Sequence, residues 1–218
     1  MFLEVNTLGK TYGKTVVLKN VSFSLEAGED LAIVGSSGSG KSTLLYLLGG
    51  LETTSTGNIK INGVDISTLS DKALANFRNK SIGFVFQFHF LLPSMNCLDN
   101  LLLPGKIGGV KLSEVERRVR GFAKTLRVEH CLDKYPFEIS GGEQQRINII
   151  RAISLKPEIL LCDEPTGNLD SKNTEIVLDL LKSVAAEINS TLIVVTHDSN
   201  VSSAFQRKIT IEDGQIIS

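Results

Sequence analysis

The tightest constraint on this chain is the run Gly35-Ser36-Ser37-Gly38-Ser39-Gly40-Lys41-Ser42. It follows a short apolar stretch, residues 30–34, and opens a segment, residues 40–48, whose apolar side chains recur at helical spacing. In that setting the pattern G-x-x-x-x-G-K-[ST] reads as a phosphate-binding loop. Glycines let several backbone N–H groups converge on one phosphate, and the positive end of the following helix adds to them. Lys41 is expected to reach the β- and γ-oxygens of a bound nucleotide and Ser42 to ligate Mg²⁺, with Thr43 also among the nucleotide-binding residues. A Gly/Ser-rich linker has the same composition, but linkers rarely lie between a buried strand and an apolar-faced helix.

The remaining pattern supplies a scaffold for such a loop. Residues 30–34, 82–86, 159–162 and 191–195 are apolar without alternation, as strands buried on both faces of a parallel sheet are. Helical periodicity marks residues 40–48, 113–128, 142–155 and 171–188. Residues 2–5, 16–25 and 57–61 read as antiparallel strands beside the turn signals Gly13-Lys14 and Asn62-Gly63. The expectation is an α/β domain with a mainly parallel sheet and a small antiparallel β layer. A helical subdomain over about 88–155, with breaks at Pro93, Pro104 and Gly108-Gly109, is set between core segments 1–87 and 156–218.

With 218 residues, 42% of them apolar, the chain has the material for a sizeable core. Lys and Arg number 23 against 24 Asp and Glu, a net charge of −1, which argues against nucleic acid as a bulk partner. Arg117, Arg118 and Arg120 are interleaved with Glu114 and Glu116 and read as a solvated helix face. Cys97, Cys131 and Cys162 are odd in number and far apart, which fits a reducing compartment better than a disulfide framework. No window approaches the length of a membrane span, and no signal peptide is expected.

Two further constellations carry chemistry. Asp163-Glu164 closes a buried strand, where ligands collect on open parallel sheets; Asp163 is expected to hold Mg²⁺ and Glu164 to orient or deprotonate an attacking water. Ser140-Gly141-Gly142-Glu143 precedes a helix and forms a capping box by itself, while the same freed N–H groups make an anion site. Taken together, the phosphate loop, the Asp163-Glu164 pair and the segment 139–146 resemble the ABC-type ATPases from end to end. The chain departs from that family's signature only in having Ile139 where leucine is usual.

The resemblance implies an ATP-hydrolysing enzyme working as a head-to-tail homodimer, in which Ser140, Gly141, Gly142 and Glu143 of one copy close on the γ-phosphate held by Lys41 of the other. It also implies that Tyr12 stacks on adenine, that Gln87 senses Mg²⁺ and the attacking water, that His197 contacts the γ-phosphate and positions Glu164, and that Asp170 lies in the loop joining the two sites. His89 and His130 match no catalytic position and read as structural. Residues 35–51, 83–93 and 163–170 resemble the lipoprotein-releasing branch of the family, with macrolide or peptide exporters as the alternative. In that branch a separate transmembrane permease docks near Phe88 to Met95, which otherwise reads as subdomain core, and the ATPase sits peripherally at the cytoplasmic side of the inner membrane.

Rival classes fit less well. Lys41 and Ser140 are only 99 residues apart, with no room for the coiled coil of ABC-type DNA-repair ATPases. The translation members carry two cassettes, and Asn79-Lys80-Ser81-Ile82 lacks the aspartate of a guanine-reading motif.

Overall fold

The computed structural model describes residues 1–88, 90–167 and 171–217, the side chains of residues 171 and 172 excepted. In chain order its strands are β1 (Leu3–Tyr12), β2 (Thr15–Leu25), β3 (Leu31–Val34), β4 (Thr56–Ile61), β5 (Val64–Asp65), β6 (Ile82–Phe86), β7 (Ile159–Asp163), β8 (Thr191–Thr196), β9 (Arg207–Glu212) and β10 (Gln215–Ile216). Its helices are α1 (Lys41–Leu48), α2 (Asp71–Ser81), α3 (Cys97–Gly108), α4 (Leu112–Thr125), α5 (Gly141–Ile153), α6 (Ser171–Ile188) and α7 (Ser199–Ser203).

Two sheets carry the fold. The six-stranded sheet runs β10-β9-β3-β8-β7-β6, parallel from β9 to β6 with only β10 reversed, and the antiparallel sheet runs β2-β1-β4-β5. Alternate residues of the central strands enter two different cores. Leu31, Ile33, Ile159, Leu161, Ile193 and Val195 face α1 and the antiparallel layer. Ala32, Leu160, Cys162, Leu192 and Val194 face a core that continues without interruption into α3, α4, α5 and α6. Burial on both faces explains why these strands read as unbroken apolar runs.

The helical stretch departs from expectation at Pro104, which lies inside α3 and does not break it. A mid-helix proline costs about 3 kcal/mol, and three features offset it. Asn96 caps the helix by accepting from the Asp99 amide at 2.7 Å, Cys97, Leu101 and Leu102 are buried, and the Asn79 amide donates to the Pro104 carbonyl at 3.0 Å. The helix ends instead at Gly109. Arg118 is also more than a solvated cation, since it donates to the Ser154 carbonyl at the end of α5. Sequence periodicity did not reveal α2, β9 or β10. In α2 only Ser81 is buried, so the helix has little apolar stripe to read. β10 spans only two residues, and in β9 only Ile209 and Ile211 are buried, among polar residues.

Close packing fixes α1 against the sheet. A Cβ placed on Gly49 would lie 1.9 Å from the Phe84 ring, so the helix end rests directly on β6. Gly49→Ala should therefore lower the unfolding free energy by about 1–3 kcal/mol. In urea this appears as a lower midpoint at unchanged slope, and an unchanged midpoint would contradict the packing.

Candidate active site

The parallel register brings the sequence-predicted residues to one edge. Val34 pairs with Thr196, Val195 with Asp163, and Asp163 with Phe86. Gly35, His197, Glu164 and Gln87 each follow one of these aligned ends, at the carboxyl edge where open α/β sheets bind ligands.

The phosphate loop turns tightly as it leaves β3. Gly35 has φ 153°, and a Cβ there would lie 2.2 Å from the Ile211 carbonyl oxygen, so only glycine fits. Ser36, Ser37 and Gly38 are exposed, whereas Ser39, Gly40 and Lys41 are buried. Lys41 Nζ donates to the carbonyls of Gly35 at 2.9 Å and Ser36 at 2.8 Å, which folds its cation into the loop. Ser42 and Thr43 begin α1 and are half-buried. The hairpin of β1 and β2 abuts the loop through Leu18, whose side chain packs against Gly40. Tyr12 ends β1 and is 43% exposed, with the Lys10 ammonium 4.6 Å from its ring centroid.

Asp163 is the last residue of β7 and is almost wholly buried. Its carboxylate accepts from Ser42 Oγ at 3.0 Å and from Tyr46 Oη at 2.9 Å. Burial, together with the bond to Asp163, pushes the Tyr46 phenol up to about 12, so it remains a donor. In the sequence Tyr46 reads as one more apolar position of α1. The signal was its spacing of four from Ser42, which places both on one helix face. Carboxylate and hydroxyl oxygens are the donor set that suits a hard divalent ion.

Glu164 adopts φ 46°, a left-handed conformation uncommon for a residue with a Cβ. Its amide donates to Val195 O at 3.0 Å, and its carbonyl accepts from the Gly167 amide at 3.1 Å. Such strain costs about 1–3 kcal/mol and gathers at functional sites. Here it turns the side chain toward β8, where Glu164 Oε1 lies 2.7 Å from His197 Nδ1. Gln87 reaches over the same loop, its Nε2 2.9 Å from the position of a Cβ on Gly167. Asp170 and His89 lie outside the described residues.

Ser140, Gly141 and Gly142 are exposed at the start of α5. The capping box is complete: the Ser140 amide and hydroxyl donate to Glu143 Oε2 at 2.8 and 2.7 Å, and the Glu143 amide donates to Ser140 Oγ at 3.4 Å. His130, read from the sequence as structural, lies with Nε2 2.8 Å from Glu143 Oε1. The Ser140 hydroxyl and amide, and then His130, hold the Glu143 carboxyl down at about 2. Gln145, which the sequence did not single out, is buried and donates to the Pro165 carbonyl, tying α5 to the turn after Glu164.

The ABC transporter family pattern matches residues 18–167, more than half of the chain and both loops described above. This chain is an ABC transporter ATPase. Over 215 residues the ATPase is 43% identical to the lipoprotein-releasing system ATP-binding protein LolD of Cytophaga hutchinsonii, with 99% of this chain and 98% of that protein covered. To LolD of Geobacter metallireducens it is 44% identical over 219 residues, covering 99% and 97%. The dimeric structure of the bacterial ABC transporter cassette MJ0796 superposes with a TM-score of 0.88 at 37% identity, over 99% of this chain and 97% of that one. A dimeric post-hydrolysis state of MJ0796 bound to ADP and Pi gives 0.89 at 36%, with the same coverage.

The low Glu143 value carries a pH prediction for the ATPase. A carboxyl whose folded pKa lies below its ordinary 4.5 adds stability that is present above that value and lost as pH falls toward about 2. Glu143→Gln keeps a capping side chain without the charge. The advantage of the wild-type protein in thermal unfolding over this variant should shrink from pH 4.5 to about 2; a constant difference across that range would contradict the assignment.

Proposed function

We propose that this ATPase drives a transporter that releases lipoproteins from the inner membrane, and that it acts as a head-to-tail dimer beneath separate permease subunits. Full-length identity of 43–44% to two LolD proteins supports the lipoprotein reading. The observation that carries the hydrolytic reading is Glu164, strained into place beside Asp163 and held by His197 at 2.7 Å.

In this reading Tyr12 stacks on adenine, and residues 35–43 enclose the phosphates. Lys41 exchanges its two loop carbonyls for β- and γ-phosphate oxygens, while the loop amides and the start of α1 add donors. Asp163, Ser42 and Gln87 would hold Mg²⁺, which when bound neutralises charge on the β- and γ-oxygens. Glu164 accepts the hydrogen bond of the attacking water and orients it in line with the γ-phosphate. His197 fixes the Glu164 carboxylate through Oε1, which leaves Oε2 for the water. General-base assistance of this kind contributes about 10² to 10⁴ in rate.

The second anion site is resolved by a second copy. Ser140, Gly141 and Gly142, exposed at the start of α5, close on the γ-phosphate held by Lys41 of the partner. Glu143 keeps this helix start in shape. The Gln145 bond to Pro165 links closure on the partner's nucleotide to the turn that holds Glu164 in the same chain.

Permease docking fits the segment after β6. Phe88 and Phe90 are 63% and 62% exposed, so neither is core. Their rings extend an aromatic series that begins with stacked Phe84 and Phe86. The series borders a cleft of about 280 Å³ lined by Leu103, Pro104 and Ile107, a shape that suits an apolar-faced helix. No helix among the described residues is long and apolar enough to cross a membrane. In this reading the ATPase sits peripherally, at the cytoplasmic face of the inner membrane, through its permease, as the identity to two LolD proteins supports.

Glu164→Gln should retain ATP binding, lower turnover by about 10² to 10⁴, and sediment as a dimer with ATP. Normal turnover, or a monomer under saturating ATP, would contradict the role given to Glu164. Replacing Phe88 and Phe90 together with serine should reduce recovery of permease subunits with the tagged chain from detergent-solubilised membranes; undiminished recovery would remove the docking surface.

A further inference from the structure

Outside the phosphate site, three different ligand-bearing side chains converge where the chain enters α5. His130 and Cys131 are adjacent in a single helical turn, Glu129–Cys131. Backbone bonds pin the chain on either side of that turn: Cys131 N to Val128 O at 3.0 Å, Cys97 N to Lys134 O at 2.8 Å, and Leu98 N to Leu132 O at 2.8 Å. Glu143 comes from a separate element and is fixed by the capping box through Oε2, which leaves Oε1 pointing at the turn. His130 Nε2 lies 2.8 Å from Glu143 Oε1 and 3.4 Å from Cys131 Sγ, and the three ligand atoms all fall within 4.8 Å of one another.

These separations are close to the edges of a metal tetrahedron. Zinc bonds of about 2.0–2.1 Å to nitrogen, 2.3 Å to sulfur and 2.0–2.2 Å to oxygen place a nitrogen about 3.3 Å from an oxygen and about 3.6 Å from a sulfur. The observed nitrogen-to-sulfur distance already matches. The nitrogen-to-oxygen distance must open by about 0.5 Å, which rotation of the His130 ring supplies, its side chain being 59% exposed.

We propose that His130, Cys131 and Glu143 form a three-ligand site for a borderline-soft divalent ion of the Zn²⁺ class, with its fourth position open to water. An imidazole, a thiol and a carboxylate select such an ion over Mg²⁺, which takes oxygen ligands. The Ser140 cap survives binding, because the ion takes Oε1 while Oε2 stays with Ser140. Binding removes the Cys131 thiol proton to solvent and forms the sulfur–metal bond. Burial, and then the hydrogen bond to and charge of the Glu143 carboxylate, push that thiol up to about 11 against the weaker pull of Lys134 and Arg146, so the proton must be displaced and affinity rises with pH. This site does not depend on the hydrolytic role given to Glu164 or on dimerisation.

The test uses the full-length protein, with Co²⁺ as a spectroscopic probe and Zn²⁺ in calorimetric titration. The wild-type chain should show a thiolate-to-cobalt charge-transfer band that Zn²⁺ displaces, and should bind one Zn²⁺ per chain. His130→Ala should weaken Zn²⁺ binding at least about tenfold, since even outer partners of metal ligands are worth 10- to 100-fold. Cys131→Ser should abolish the band, and Cys162→Ser should keep it. His130 is exposed, so His130→Ala decides the matter even if Cys131→Ser does not fold. Absence of the band in the wild-type protein, or a Zn²⁺ affinity unchanged in His130→Ala, would overturn the site.

Discussion

The arrangement depends on the register of four parallel strands. A strand advances about 3.3 Å per residue, so slipping β8 by one position against β7 would carry His197 out of reach of Glu164, 2.7 Å away. The same pairing sets Asp163 against Val195 and Phe86, and Val34 against Thr196. Two apolar cores hold this register by claiming alternate residues of every central strand. A one-residue slip would exchange the faces and strand each side chain in the wrong core.

On that platform the polar site is made from few groups. Asp163 is shared between Ser42 and Tyr46, both from α1, so the helix that carries the phosphate loop also aims the carboxylate from β7. Lys41 is already folded onto the loop carbonyls, which leaves the loop shaped before any phosphate enters. Glu164 sits in left-handed backbone only because Val195 and Gly167 hold both its amide and its carbonyl. Strain there and order in the strands beneath it are parts of one design.

Much of this was legible in the sequence because its signals are local. The phosphate loop, Asp163-Glu164 and the Ser140 capping box are contiguous runs, and the buried strands announce themselves as unbroken apolar stretches. What escaped depends on packing between distant segments. Tyr46 finds Asp163 across 117 positions, and Gln145 finds Pro165 from another element. The helix over α3 survives Pro104 because burial and the Asn79 contact offset one lost bond. His130 matches no catalytic position, and its contact with Glu143, 13 residues on, lies beyond any helical period. Phe88 and Phe90 were ambiguous between core and docking surface, since apolarity alone does not say which side of the cleft they face.

The central claim is that each hydrolytic site is completed by a second copy, with Lys41 from one chain and Ser140 from the other. Complementation between two inactive variants tests it directly. Lys41→Ala and Ser140→Arg should each be inactive alone, because every site in either homodimer carries a defect. Mixed in equal amounts, they form a heterodimer with both defects in one site and none in the other, and ATP hydrolysis should return. If Lys41 and Ser140 served the same nucleotide within one chain, every site in the mixture would remain defective. A mixture no more active than its components would then contradict the shared-site account.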